Sequence, residues 1–362
     1  MSMQPNFSGS DGAASSGQRG ASLALDFALQ KIVLGEDLSR QEAAELLAAL
    51  LAEDASDIQI AAVLAAMAEK GETAEELTGM AEAMRARMVR LRCDLPKVID
   101  TAGTGASRAK TFNVSTAASF VIAAAGLPIA KHGAKAATSS SGSADVLHAL
   151  GIEVTAAPEV SERLLAQHGI CFLFAPQYHP AAARVAPIRR QLGFRTVFNL
   201  IGPLSSPSRA RYQVLGVSHQ QLLPKMSAAL ANLGCARGWV VCGEDGLDEI
   251  SLAGPTQIAE VRDGKHASFT VTPEMFGVTA GSCEHLRAEN AAASAAQTLG
   301  VLGGTADRCA TDLVILNAAA ALVVGLDMDL RAAAELARKT IASGAAMAKL
   351  ETARAALKGQ SA

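Results

Sequence analysis

From residue 24 to residue 92 the apolar positions fall into helical runs, each opened by a polar start signal. Ser39-Arg-Gln-Glu42 has the spacing of a capping box before AAELLAALL. Ser56-Asp-Ile-Gln59 repeats the spacing before IAAVLAAMA, and Thr73-Ala-Glu-Glu76 does so a third time. Gly71 stands between the second and third runs, where a glycine past the last turn ends a helix. Three capped, alanine-rich helices with no strand signal predict a compact helical domain.

Beyond Pro96 the period changes. LPKVIDTAGTG reads as a short β-branched strand entering a glycine turn, and Asn113-Val-Ser-Thr116 then opens the apolar helix AASFVIAAAG. A second strand, LPIAKHG, a Ser-rich loop (Thr138 to Ser143) and a helix from Ala144 to Leu150 follow. Strand signals recur at IEVT, CFLFAP, YQVLGV, GWVVCG and IAEVRD, with helical stretches between several of them. This alternation predicts an α/β layer on a largely parallel sheet. The expected fold is therefore α/β, with a small N-terminal helical domain and a larger α/β domain around a central, mostly parallel sheet.

Composition narrows the function classes. The chain has 362 residues, half of them hydrophobic, so it can bury a large core. A formal charge of −3, one Trp and two Tyr give no footprint for nucleic acid or an anionic membrane, and no stacking platform for bases. The longest apolar candidate for a membrane span, Ala117 to Ala130, is broken by Gly126 and Pro128. The Ser/Gly-rich start, residues 1–22, lacks the pattern of a secretory signal and is expected to be a disordered tail. Six widely spaced cysteines without a CxxC pair suit reduced thiols and a cytoplasmic protein. A small-molecule enzyme is the expected class.

Four loops that follow predicted strands have the composition of ligand sites, and in parallel sheets ligands sit beyond the carboxyl ends of strands. Asp100-Thr-Ala-Gly-Thr-Gly105 would let backbone N–H groups approach an anion, although such turns are commonly structural. Asn113, Ser115 and Thr116 offer an amide and two hydroxyls there, or an ordinary helix cap. Lys131-His132-Gly133 would suit an anionic substrate, and the hydroxyl-rich Thr138–Ser143 leads into Asp145. Glu244-Asp-Gly-Leu-Asp248-Glu249 ends in adjacent carboxylates, either hard oxygen ligands for Mg²⁺ or a solvated acidic turn. A further stretch from Pro187 to Pro203 brings Arg189, Arg190 and Arg195 near Asn199, and arginine is the usual fork for carboxylate or phosphate.

In order and spacing, AGTG…TFNVST, KHG…SGSADVL, RRQLGFRTVFNLIGPL and EDGLDEISLAGPT resemble the anthranilate phosphoribosyltransferase family. The likeness extends through the N-terminal GEDLSRQEA…SDIQIAAVLAAMAEKGET and the C-terminal DLVILNAAAALVVG, over roughly residues 24–355. It implies a helical domain at 23–95 with a contribution from about 180–205, an α/β domain at 96–179 and 206–360, and pairing as a homodimer through the helical parts. The implied reaction is Mg²⁺-dependent transfer of phosphoribosyl from phosphoribosyl pyrophosphate (PRPP) to the amine of anthranilate or a similar aromatic amine, a step of tryptophan biosynthesis. Residue by residue, it implies pyrophosphate contact by Gly103, Thr104 and Gly105, and ribose, phosphate or metal contact by Asn113, Ser115 and Thr116. Lys131 matches a phosphate-contacting lysine, and Ser143 joins the substrate set. His132 and Gly133 line the aromatic site, Arg189 faces the anthranilate carboxylate, and Ser115, Asp248 and Glu249 hold the metal. No side chain is implied as a catalytic acid or base.

Three motifs depart from the family pattern. The loop GTGGD is here Gly103-Thr-Gly-Ala106-Ser107, which lacks the acid; Arg108 and Lys110 follow, and their positive charge would partly replace Mg²⁺-mediated contact with the substrate. KHGNR is Lys131-His-Gly-Ala134-Lys135, and Ser206 stands where asparagine is usual. These departures keep open a second reading, in which a relative uses another aromatic nitrogen acceptor or another donor, or binds a ligand without catalysis.

Overall fold

The computed structural model describes residues 16–105, 107, 109–135 and 141–358. The first helix, α1, runs Ser16–Val33, so helix begins inside the stretch expected to be a tail, and residues 1–15 lie outside the described residues. Packing overrides composition here: Leu25, Ala28 and Ile32 recur at helical spacing and are buried in the core of the bundle.

Helices α2 (Arg40–Leu50), α3 (Asp57–Lys70) and α4 (Ala74–Arg87) complete the N-terminal unit. Ser39 and Thr73 close the capping boxes their spacing predicts. Ser56 makes no side-chain cap bond, and the Gln59 side chain does not complete a capping box: its Nε2 donates to Asp26 Oδ1 at 2.6 Å, tying α3 to α1. Gly71 ends α3 with φ 81°, a conformation that favours glycine.

The rest of the chain alternates strands and helices: β1 (Ile99–Gly103), α5 (Val114–Ala124), β2 (Ile129–Gly133), α6 (Ser143–Ala149), α7 (Pro158–His168) and β3 (Ile170–Phe174). Then come α8 (Ala175–Tyr178), α9 (Ala186–Leu192), α10 (Val197–Leu204), β4 (Tyr212–Gly216), α11 (Leu222–Asn232) and β5 (Arg237–Gly243). The hairpin β6 (Thr256–Arg262) and β7 (Lys265–Val271) precedes the C-terminal helices α12 (Ala291–Leu302), α13 (Arg308–Leu326), α14 (Leu330–Ala342) and α15 (Ala345–Leu357). The sheet order is β3-β2-β1-β4-β5-β6-β7, parallel from β3 to β5 and antiparallel across β6 and β7.

Two expectations change. IEVT forms no strand: Ile152 and Val154 are buried against the core between α6 and α7, so their alternation records burial without sheet pairing. Strand β7 escapes notice because it is the exposed sheet edge and carries little apolar alternation. Its register comes from the turn, where Asp263 (φ 49°) and Gly264 (φ 76°) both take the positive φ of a tight hairpin.

Each face of the sheet feeds one core. Val214, Trp239, Val241 and Ile258 point toward α5 and the C-terminal helices, whereas Leu215, Val240, Cys242 and Val261 point toward α11 and α1–α4. Ile188, Val197, Phe198 and Ile201, on α9 and α10, join the second core. Among the described residues one helix, α13 with 19 residues, qualifies by length and composition as a membrane span, although Arg308, Asp312 and Asn317 interrupt its apolar run and the sequence reading did not single it out. It is 83% buried over its most apolar window and packs against α5, α14 and β4 as a core helix.

Candidate active site

Strand order reverses between β1 and β4, and in doubly wound sheets the crevice beyond such a point is where ligands bind. A cavity of about 750 Å³ opens there, walled by the loops after β1, β2 and β5 and by α9 and α10. Its charged lining is Lys110, Lys131, Lys135, Arg189 and Arg190 against Asp248 and Glu249, so the cleft favours an anion beside a local acidic pair.

Two glycines bring the acidic loop to the sheet. Gly103 pairs with Gly216 across β1 and β4. A Cβ on Gly103 would stand 3.0 Å from Asp248 Oδ2, and one on Gly216 would overlap the Asp248 carbonyl. Gly105 turns the chain with φ 70°, and the Thr104 N–H is spent on the Gly216 carbonyl at 2.9 Å. Arg195 braces this turn: Nη1 donates to Ser218 Oγ at 2.7 Å, and Nη2 donates to the Gly105 carbonyl. Ser107, at the position of the family's acid, lies with its Oγ 2.7 Å from the Ala109 carbonyl and 2.8 Å from that of Gly246, stitching the glycine loop to the acidic loop. Ala106 and Arg108 lie outside the described residues, and with them the role expected of Arg108; Lys110 lines the cleft and its charge reaches Asp248.

Lys131 is buried at the end of β2, and its Nζ donates to the Thr101 carbonyl at 2.5 Å and to Ser115 Oγ at 3.0 Å. The Ser115 N–H, in the first turn of α5, donates to Glu249 Oε1 at 3.2 Å. Burial pulls the lysine pKa down against the opposing pull of Asp100, Glu249 and Asp248. Burial likewise raises both acidic side chains, and the Asp248 charge helps push Glu249 up to about 8. Two adjacent carboxylates held this way, with a serine oxygen alongside, form a hard-oxygen donor set that a divalent cation would relieve.

Asn113 makes no cap bond; its Oδ1 instead accepts from Ser294 Oγ and Ser141 Oγ, each at 2.9 Å, at the cleft wall. Thr116, expected in the site, is buried inside α5 and is not among the cleft-lining residues, because it falls one helical step off the exposed face that carries Ser115. Gly133 and Ser143 both line the cleft, and a Cβ on Gly133 would overlap Ser143 Oγ, so the first residue of α6 closes against the end of β2.

The cleft lining also carries two histidines. His132 and His179 face each other with ring centroids 5.2 Å apart. Burial drives the first down to about 3 and the second to about 4, leaving both imidazoles neutral. The His132 N–H donates to Asp100 Oδ1 at 3.1 Å, and its ring Nε2 has no partner. Arg189 stacks its guanidinium 5.2 Å from the centre of the Phe198 ring, and Nη2 reaches Asn199 Oδ1 at 3.4 Å. His179 was not singled out from sequence: beside buried Tyr178 and ahead of Pro180, it belongs to no motif read there, whereas Arg195 and Asp100 fall inside motifs that were read but with no bracing role.

Two family descriptions match the chain: the helical bundle domain of a glycosyl transferase family over residues 28–88, and the α/β domain of the same family over residues 95–347. An anthranilate phosphoribosyltransferase from Anaeromyxobacter sp. (strain K) is 47% identical over 324 residues, covering 89% of this chain and 96% of the relative. The solved anthranilate phosphoribosyltransferase of Thermus thermophilus superposes with a TM-score of 0.86 at 40% identity, covering 92% of this chain and 99% of that one. The Saccharomyces cerevisiae enzyme, solved in complex with PRPP and Mg, superposes with a TM-score of 0.85 at 27% identity, covering 93% and 98%. The switch-point cleft, the acidic pair beside a buried lysine and these likenesses agree: the chain belongs to the anthranilate phosphoribosyltransferase family of glycosyl transferases.

Proposed function

We propose that this cleft transfers the phosphoribosyl group of PRPP to the amine of anthranilate, a step of tryptophan biosynthesis. The observation that carries the reading is the division of one cleft into two walls. Asp248 and Glu249 lie by Lys131 and the glycine loop, and we assign the neutral pair His132 and His179, with Arg189, all of which line the same cleft, to the other wall. The first wall suits a pyrophosphorylated sugar, and the second suits an aromatic acid.

In this reading Gly103, Thr104 and Gly105 cradle the pyrophosphate. Lys131 and Lys110 oppose its charge, and Asn113, Ser115 and Ser143 meet phosphate or ribose hydroxyls. Ser115, Asp248 and Glu249 would hold Mg²⁺, which when bound neutralises pyrophosphate charge as it develops on the leaving group. As the ribose C1–O bond breaks, the basic lining stabilises the departing anion, and the anthranilate nitrogen forms the new bond to C1 from the other face. The extra amine proton passes to solvent, since no side chain is assigned as acid or base. Arg189 orients the anthranilate carboxylate, while the neutral rings and Gly133 wall the aromatic ring without adding positive charge near the amine. Ala134 lines this wall where the family has asparagine, which favours a second acceptor of similar shape alongside anthranilate.

The same reading makes the chain a homodimer joined through its helical unit. Leu23 (67% exposed), Phe27 (50%) and Ile58 (82%) on α1 and α3 form the apolar surface that supports it. Residues 23–95 with 180–205 would form that unit, and 96–179 with 206–360 the α/β unit. Six cysteines, all free, suit the reducing cytoplasm.

Calorimetry with Mg²⁺ tests the division of the cleft. PRPP should bind the wild-type and Arg189→Ala proteins alike, while the KM for anthranilate rises at least tenfold in the variant. Equal losses for both substrates would defeat the assignment of walls.

A further inference from the structure

Outside the cleft, three side chains of different chemistry converge without any role in the transfer. His285, Asp307 and Cys309 place a ring nitrogen, a carboxylate oxygen and a thiol sulfur within 4.8 Å of one another. His285 Nε2 lies 3.1 Å from Asp307 Oδ1, and that oxygen also accepts the Cys309 main-chain N–H at 2.8 Å.

Both segments that carry the trio are anchored. Asp307 is the N-cap of α13, the helix that runs through the core. His285 sits in a short turn whose flanks, Cys283 and Leu286, are buried. The Gly281 N–H donates to the Leu252 carbonyl at 3.0 Å, and Gly281 passes so near that a Cβ there would stand 3.0 Å from Cys309 Sγ. Helix capping accounts for Asp307 and a hydrogen bond to its carboxylate for His285, but neither accounts for the thiol beside them.

Nitrogen, oxygen and sulfur together make the donor set of a borderline cation of the zinc class, and a poor one for Mg²⁺, which demands oxygen. Around a tetrahedral ion with bonds of about 2.0–2.3 Å, ligand atoms stand roughly 3.3–3.8 Å apart. The half-exposed side chains of His285 and Asp307 need only a small rotation to reach that spacing. Arg308 Nη2 lies 3.8 Å from Cys309 Sγ, and Arg308 Nη1 donates to Asp312 at 2.9 Å.

We infer that His285, Asp307 and Cys309 form a zinc-class cation site, with the fourth position open to water, that pins the 281–286 segment to the start of α13. Binding displaces the thiol proton to solvent and replaces the imidazole–carboxylate hydrogen bond with two metal bonds. The benefit passes to the scaffold: farther along α13, Asn317 Oδ1 accepts the Ile250 N–H at 2.8 Å and its Nδ2 donates to the Ile250 carbonyl at 3.0 Å, directly after the acidic pair.

The test titrates the full-length protein with Co²⁺ in buffer containing excess Mg²⁺ and reads the thiolate-to-cobalt charge-transfer absorption. One equivalent should develop the band, and Zn²⁺ should abolish it. His285→Ala should weaken binding at least tenfold, and Cys309→Ser should lose the band while keeping wild-type circular dichroism and turnover. Zn²⁺ should raise the wild-type Tm by about 2 °C or more and leave that of Cys309→Ser unchanged. Absence of the band under a large excess of Co²⁺, or a band that survives Cys309→Ser, would overturn the assignment.

Discussion

Gly216→Ala probes how the acidic pair is held. A Cβ at this position would overlap the Asp248 carbonyl and stand 3.2 Å from Asp248 Cβ, so the acidic loop and the end of β4 must separate. The obstacle is backbone, with no flexible side chain to swing aside. Overpacking of this kind costs about 1–3 kcal/mol of stability. Its larger effect is displacement: moving the carboxylates by roughly 1 Å is enough to cost on the order of 10²-fold in rate. Gly254→Ala is the matched control, because it lies near the same loop and a Cβ there meets nothing within 4 Å. The assay is a Mg²⁺ titration of steady-state turnover with thermal melts of both variants. Gly216→Ala should lower kcat/KM by about 10²-fold, raise the Mg²⁺ requirement and lower Tm, with Gly254→Ala near wild type. A Gly216→Ala enzyme with wild-type kcat/KM and Mg²⁺ dependence would refute the idea that this close approach positions the acids.

Lys131→Met removes the buried cation facing Asp100, Glu249 and Asp248; it should cost about 3–5 kcal/mol in chemical denaturation and weaken PRPP binding measured by calorimetry. Glu76 accepts the Leu38 N–H at 2.9 Å and the Thr73 N–H at 2.8 Å while pairing with Lys70, so Glu76→Ala should destabilise the bundle by about 2–4 kcal/mol in thermal melts. His132 and His179, held down near 3 and 4, should stay neutral at pH 5 when ring NMR shifts are followed, whereas titration of both near 6.5 would contradict their burial. Between those values the unfolded chain binds the protons and the folded one does not, so the stability advantage of wild type over His179→Asn should be complete above pH ~6.5 and shrink as pH falls toward 4.

Much of this architecture is legible in the sequence because its determinants are local. Capping boxes at Ser39 and Thr73 are fixed by residues three apart, and the five parallel strands declare themselves by short apolar runs, four of them ending in a glycine and β3 running into Ala175-Pro176. The site loops are legible for the same reason: strand ends, glycines and the Asp248-Glu249 pair are contiguous. What escapes is set by distant packing. Ser56 has a cap's sequence, yet Gln59 finds its partner on α1. Thr116 shares a motif with Ser115, but helix geometry turns the two to different faces. Arg195 and His179 matter through what they meet across the cleft, Gly105 and His132, which lie 90 and 47 positions away in sequence.

The central claim is that the two walls of one cleft serve PRPP and an aromatic acid amine. The most direct test follows loss of anthranilate fluorescence on mixing purified protein with PRPP and Mg²⁺, with product identified by mass. Turnover should require PRPP and Mg²⁺ together, release pyrophosphate in equal amount and fall to background in Asp248→Asn. PRPP binding without any consumption of anthranilate would contradict the acceptor assignment, and binding of neither substrate would contradict the enzyme reading itself.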